Sequence, residues 1–252
     1  MHWILKNKGM TDINESLNEL FDSWQSDAYD NGDTDFVFDG LLNDSCFDDS
    51  EWWDSNLRIA FVTKDPYFQG DYDEGDLDGE DYREYDLLEM AGDHRFWRNI
   101  MAWAYGLIQT DEDEYPDYDE ASDYENMEYI ANNIPIALVN IKKEAGSSTV
   151  SNSTLRWYAR EYDDYLKQEL QEILCPNVIF CCGTSGIVMD EIYDDYDFEQ
   201  IDDDGFVYYC EDQDILLIAG YHPTARMSNY QMYNSVMNAY SDFLEDYYFP
   251  NN

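Results

Sequence analysis

The stretch "RIAFVTKDPYFQG", Arg58–Gly70, decides the fold class. Ile59 to Thr63 form a short, continuous apolar and β-branched run, bounded by an acidic segment and a proline. That pattern predicts a strand buried on both faces. The run stops at Lys64-Asp65-Pro66, because proline fixes φ and has no N–H to give a ladder. Two further runs have the same character, "IPIALVNI" at 134–141 and "NVIFCCG" at 177–183. The segment "GFVYYCEDQDILLIAGYHP" predicts two more strands around the turn "EDQD". Helical periodicity fills the intervals, over about 11–25, 94–108, 153–174 and 230–245. Fully apolar strands alternating with helices predict a three-layer α/β/α fold around a central, mainly parallel, four-stranded sheet. We expect a single domain, in which an N-terminal helical segment, 1–55, packs on a core of 56–252.

Sheets of this kind bind ligands beyond the carboxyl ends of their strands. The informative loops are therefore "TKDPY", "NIKKEAG", "GTSG" and "YHPTARMS". The acidic segments 70–86 and 111–120 are expected to be solvated covers.

The chain carries 57 acidic against 13 basic residues, a formal net charge of −44. Charge of this density repels a phosphate backbone and weakens compactness. Three readings of it compete: adaptation to high salt, mimicry of DNA, or a binding face on which the few bases are concentrated. Lys64, Lys142, Lys143 and Arg226 lie in the strand-end loops, and Arg83, Arg95 and Arg98 between the first two strands. A local positive strip is the expectation. Apolar residues make up 44% of the chain, enough to bury a core. No apolar run approaches the ~20 residues of a membrane span, and the opening "MHWILKNKGM" is too short for a signal peptide. A cytoplasmic protein without membrane contact is expected. The five cysteines include no C-x-x-C pair, so reduced thiols and no metal are expected.

Four strand-end residues carry chemistry. Asp65 and His222 suit hydrolysis: a carboxylate to activate water, an imidazole to stabilise developing negative charge. Asn140 has both a donor and an acceptor for an amide-like base edge, and Tyr67 can stack. The order "DPY", "LVN", "HP" resembles the uracil-DNA glycosylase superfamily, whose motifs read Gly-Gln-Asp-Pro-Tyr-His, an apolar strand ending in Asn, and His-Pro-Ser. The helix "FWRNIMAWAYGL" and the strand "NVIFCCG" fall where that family has a helix and its third strand, so the resemblance spans about 56–245. It implies catalytic roles for Asp65 and His222, and a base pocket formed by Lys64, Tyr67, Phe68 and Asn140. DNA contacts would come from Lys142, Lys143, Thr224, Arg226, Met227 and Ser228, with Arg226 or Met227 as a wedge. Thr63-Lys64 replaces Gly-Gln, Phe68 the histidine and Thr224 the serine, so the pocket is altered. The implied function is a monofunctional, monomeric DNA glycosylase without cofactor. It would release a flipped uracil or modified pyrimidine from single- or double-stranded DNA, in repair or in defence against phage DNA. The alternative is an inactive, glycosylase-like or DNA-mimicking acidic protein that binds a basic DNA-binding partner.

Overall fold

Alternation along the buried strands sets the layers. Ile59, Phe61, Leu138, Phe180 and Ile218 enter one apolar core, while Ala60, Val62, Val139, Ile179 and Leu217 enter the other. Successive side chains of a strand point to opposite faces, so an unbroken apolar run needs cover on both. The computed structural model describes residues 13–32, 35–43, 46–47, 49–66, 80–111, 114–144 and 150–245.

In chain order the helices are α1 (Ile13–Asp30), α2 (Asp49–Asp54), α3 (Leu87–Asp93), α4 (Arg95–Gln109), α5 (Tyr118–Ala121), α6 (Tyr124–Asn133), α7 (Asn152–Glu161), α8 (Asp163–Lys167), α9 (Ser185–Ile187) and α10 (Asn229–Phe243). The strands are β1 (Gly40–Leu41), β2 (Ile59–Thr63), β3 (Ala137–Asn140), β4 (Val178–Cys181), β5 (Glu199–Gln200), β6 (Val207–Cys210) and β7 (Ile215–Ile218). Residues of α3, α4, α6 and α10 cover one face, and those of α1, α2, α7 and α8 the other.

The sheet corrects the sequence expectation. It has seven strands in the order β1-β3-β2-β4-β7-β6-β5, and it is mixed rather than four-stranded. Its centre, β3-β2-β4-β7, is parallel throughout. β1 pairs antiparallel with β3 at one edge, and β6 and β5 continue antiparallel from β7 at the other. The short β1 and β5 carry too little alternation to be read from sequence. β1 also shows that the segment 1–55 supplies an edge strand as well as helices.

Two helical expectations change in detail. The predicted helix over 153–174 breaks at Tyr162 and ends in a π-helical stretch, Gln168–Leu174, closed by Cys175 in the left-handed region. Acidic residues cap three helices: the side chains of Asp86, Asp117 and Asp123 accept backbone N–H groups at the starts of α3, α5 and α6. Part of the acidity thus serves helix ends, where a carboxylate also complements the helix dipole. Of the acidic segments, 80–86 and 114–120 are described and include a 3-10 turn, Tyr82–Glu84, and most of α5. Residues 70–79 lie outside the described residues.

Candidate active site at the carboxyl edge of the sheet

The four parallel strands end together, and the loops beyond them remain bonded to one another. Past β2 and β3, Ile141 N–H donates to Thr63 O (3.1 Å) and Lys142 N–H to Lys64 O (3.0 Å). Past β4, Cys182 N–H and Thr184 Oγ1 both donate to Val62 O, at 2.8 and 2.7 Å. Gly183 N–H donates to Gly220 O beyond β7 (2.9 Å). One fixed ledge therefore carries Lys64, Asp65, Lys142, Gly183 and His222.

Gly183 is the floor of this ledge. Its φ is +74°, a conformation that a side chain resists. A Cβ there would lie 3.4 Å from His222 N, 3.7 Å from His222 Cβ and 3.8 Å from Lys64 Cε. Lys64 and His222 thus border the same exposed glycine. Gly220 has a different reason: a Cβ would stand 2.2 Å from the Phe180 ring, so only glycine lets this loop leave β7.

Asp65 is half-buried, and its Oδ2 is enclosed with no hydrogen-bond partner. Burial pushes its carboxyl up to about 6, although the nearby Lys142 and Lys64 pull the other way. His222 moves in the opposite sense. Burial, aided by the charge of Lys64, lowers its imidazolium to about 4. At neutral pH the ring is therefore neutral. Its Nδ1 accepts the Thr224 backbone N–H at 3.2 Å. A neutral imidazole with Nδ1 as acceptor carries its proton on Nε2. The ledge thus pairs a carboxylate of raised pKa with an N–H donor held in one tautomer.

The loop bearing His222 is braced from behind by α4. Asn99 Nδ2 donates to Pro223 O (2.7 Å), and Arg95 donates to Met227 O (2.7 Å) and Asn229 Oδ1 (2.6 Å). The Phe96 ring stands 6.1 Å from the His222 ring.

The other expected site residues divide. Asn140, expected to read a base edge, is 1% exposed and its amide is engaged at both ends. Its Oδ1 accepts from Thr63 Oγ1 at 2.6 Å, and its Nδ2 and backbone N–H donate to Asp39 Oδ2 at 2.9 and 2.8 Å. Lys143, expected to touch DNA, is an interior residue. Its ammonium binds Asp39 Oδ1 at 2.5 Å and Glu169 Oε1 at 3.0 Å, between the rings of Phe21 and Trp24. Burial holds the Glu169 carboxyl well above its ordinary range. An ammonium at this depth needs counter-charges, and only interior carboxylates supply them. Lys142 is nearly buried and paired with Glu144 at 2.9 Å. Thr224 lies with its hydroxyl 3.0 Å from His222 Nδ1, Met227 is half-buried, and Ser228 caps α10. Tyr67 and Phe68 lie outside the described residues.

The expected positive strip is thereby corrected. Arg83 is 5% exposed and chelated by Asp81 and Asn18. Arg98 is spent on the carbonyls of Ala91 and Gly92. Away from the ledge, Arg58 binds the Cys175 carbonyl, while Arg156, Arg160 and Lys167 pair with neighbouring acids. Among the described cations, only Lys64 and Arg226 have side chains bonded to no described group.

No protein-family model matches this chain, and no curated protein matches it. The site is read from its own geometry. Sequence reasoning missed Asp39, which joins Asn140 to Lys143. The alternation Phe36-x-Phe38 before Asp39-Gly40 was the available signal, since it marks a short strand running into the core. Among the described residues, no group of three or more His, Cys, Asp or Glu is gathered as a metal ion requires. The cysteines are free, and burial raises the thiol pKa of Cys181 and Cys182. No helix among the described residues is long and apolar enough to cross a membrane.

Proposed function

We propose that this chain hydrolyses the N-glycosidic bond of a flipped-out uracil or modified pyrimidine in DNA, as a glycosylase of the uracil-DNA glycosylase type. One observation carries the reading: Asp65, with an unpartnered buried oxygen and a pKa of about 6, shares a ledge with a neutral His222 whose Nε2–H is the donor. The Asp65 carboxylate would orient and deprotonate water as the bond to the base breaks. The His222 Nε2–H would donate to the oxygen of the departing base anion. A base leaving with negative charge needs such a preset donor, and a neutral imidazole supplies it without releasing a proton to solvent. The base must leave the stack to reach this ledge. In this reading Asn140 is a positioning residue that ties the end of β3 to β2, and Lys64 borders the pocket floor.

The test is base release from oligonucleotides carrying uracil or a C5-modified cytosine, scored by alkaline cleavage at the abasic site. Wild type should release one of these bases. Asp65→Asn and His222→Ala should each lower the rate by about 10² or more, as expected for a positioned acid–base group. If all three proteins behave alike on every oligonucleotide, the hydrolytic reading is wrong. The alternative of an acidic protein that captures a basic partner then gains ground. It is favoured by one observation, the internal pairing of most described cations on a chain of net charge −44.

A further inference from the structure

We propose that Lys64 and Arg226 form a two-point phosphate clamp. The clamp limits this site to one nucleotide of single-stranded nucleic acid and the phosphates on either side of it. The inference rests on the proposed function only for what happens to the base between the two cations.

The clamp follows from which cations remain. Most described cations are held by a carboxylate or a carbonyl of the fold: Arg58, Arg95 and Arg98 bind carbonyl oxygens, and six others pair with acids. Lys143 is enclosed by Asp39 and Glu169, Lys142 by Glu144, and Arg83 by Asp81. Arg95 is turned inward to brace the loop that carries Arg226. The side chains of Lys64 and Arg226 are bonded to no described group; Lys64 belongs to the ledge, and Arg226 to the loop that continues from His222.

Their positions suit two successive phosphates. β4 lies between β2 and β7 in the sheet. Lys64 follows β2 directly, with its Cε 3.8 Å from where a Gly183 Cβ would stand, and Arg226 lies in the loop that runs on from β7 past His222, on the other side of β4 in strand order. Two strand spacings separate β2 from β7, about 10 Å. A nucleotide seated over Gly183, with its base against Asp65 and His222, would hold one phosphate toward each side. The Arg226 loop is a firm mount, since Asn99 and Arg95 hold its backbone at Pro223 and Met227.

The rest of the molecule sets the limit. Phosphates beyond the clamp meet a strongly negative protein and gain no counter-charge from it. A duplex, with one charge per ~1.7 Å of axis, would bring many such phosphates at once. The site is therefore matched to a single strand and to a footprint of one nucleotide.

Binding is measured with fluorescein-labelled trinucleotide, dodecanucleotide and dodecamer duplex, each carrying one uracil. The Asp65→Asn chain is used so that no base is released during titration. Counterion release for two neutralised phosphates on a single strand gives a slope of about −1.4 in log K against log salt. The expected result is that slope, or a shallower one. The two single strands should bind within about twofold of each other, and the duplex more weakly. Lys64→Gln and Arg226→Gln should each halve the slope while leaving the melting temperature unchanged. The clamp is overturned by a slope steeper than about −4, by a dodecanucleotide binding more than tenfold tighter than the trinucleotide, by indifference to both substitutions, or by no binding. Base release measured in parallel separates the two ideas. A clamp without base release keeps the inference and removes the hydrolytic reading. Base release with a steep slope does the reverse.

Discussion

Asp65 and His222 are shifted in opposite directions, and each shift has a consequence for pH. Burial raises the Asp65 carboxyl to about 6, so under the proposed function base release should rise with pH through that value and level off above pH 7. The His222 imidazole titrates at about 4, so it should add no second step between pH 5 and 8. A pH–rate profile with its main inflection near 8 would contradict this assignment. The same shift acts on stability. A carboxyl with a folded pKa above its unfolded value stabilises the fold while protonated, and that contribution is lost as pH rises from the ordinary carboxylate value through about 6. Asp65→Asn should therefore raise the melting temperature at pH 7.5, by the equivalent of about 1 kcal/mol after allowance for partial exposure. The gain should vanish below pH 4. The two lysines of the site region should behave differently from each other. Lys143→Ala leaves Asp39 buried without its cation and should cost about 3–5 kcal/mol in a denaturant titration. Lys64→Ala should change stability by less than about 0.5 kcal/mol, because its ammonium is bonded to no described group and acts on Asp65 and His222 only through its charge.

At the scale of elements, the four loops act as an extension of the sheet. Gly183→Ala should cost about 1 kcal/mol through its left-handed backbone, and it should lower activity more than stability by narrowing the space between Lys64 and His222. Gly220→Ala drives a methyl into the Phe180 ring and should cost more, about 2–3 kcal/mol. A Gly220→Ala protein as stable as wild type would refute the packing account. The central strands were legible because runs such as "IAFVT" and "VIFC" are apolar on both faces, a pattern that a surface strand does not show. The loops bearing Asp65 and His222 followed directly from where those runs stop. The edge strands β1 and β5 were hidden because two residues carry no periodicity. The fate of Lys142 and Lys143 was hidden for another reason. A lysine after a strand reads the same whether its ammonium meets solvent or a carboxylate brought from position 39 or 169, and only the tertiary structure brings those residues near.

At the scale of the whole molecule, the net charge of −44 stands against a core that occupies both faces of a seven-stranded sheet. Self-repulsion is screened over about 10 Å at 0.1 M salt and about 3 Å at 1 M. The melting temperature should rise steadily from 0.05 to 1 M sodium chloride, while a charge-balanced protein of similar size changes little. The buried Lys143 centre also bears on how the chain is made. Asp39 leaves the ribosome 104 positions before the lysine that neutralises it, a wait of about 5–20 s at ordinary rates of synthesis. Until then β1 has no neighbour in the sheet, because β3 is also still to come. The start of the nascent chain should therefore remain sensitive to protease and turn resistant only after the segment through Glu169 has emerged.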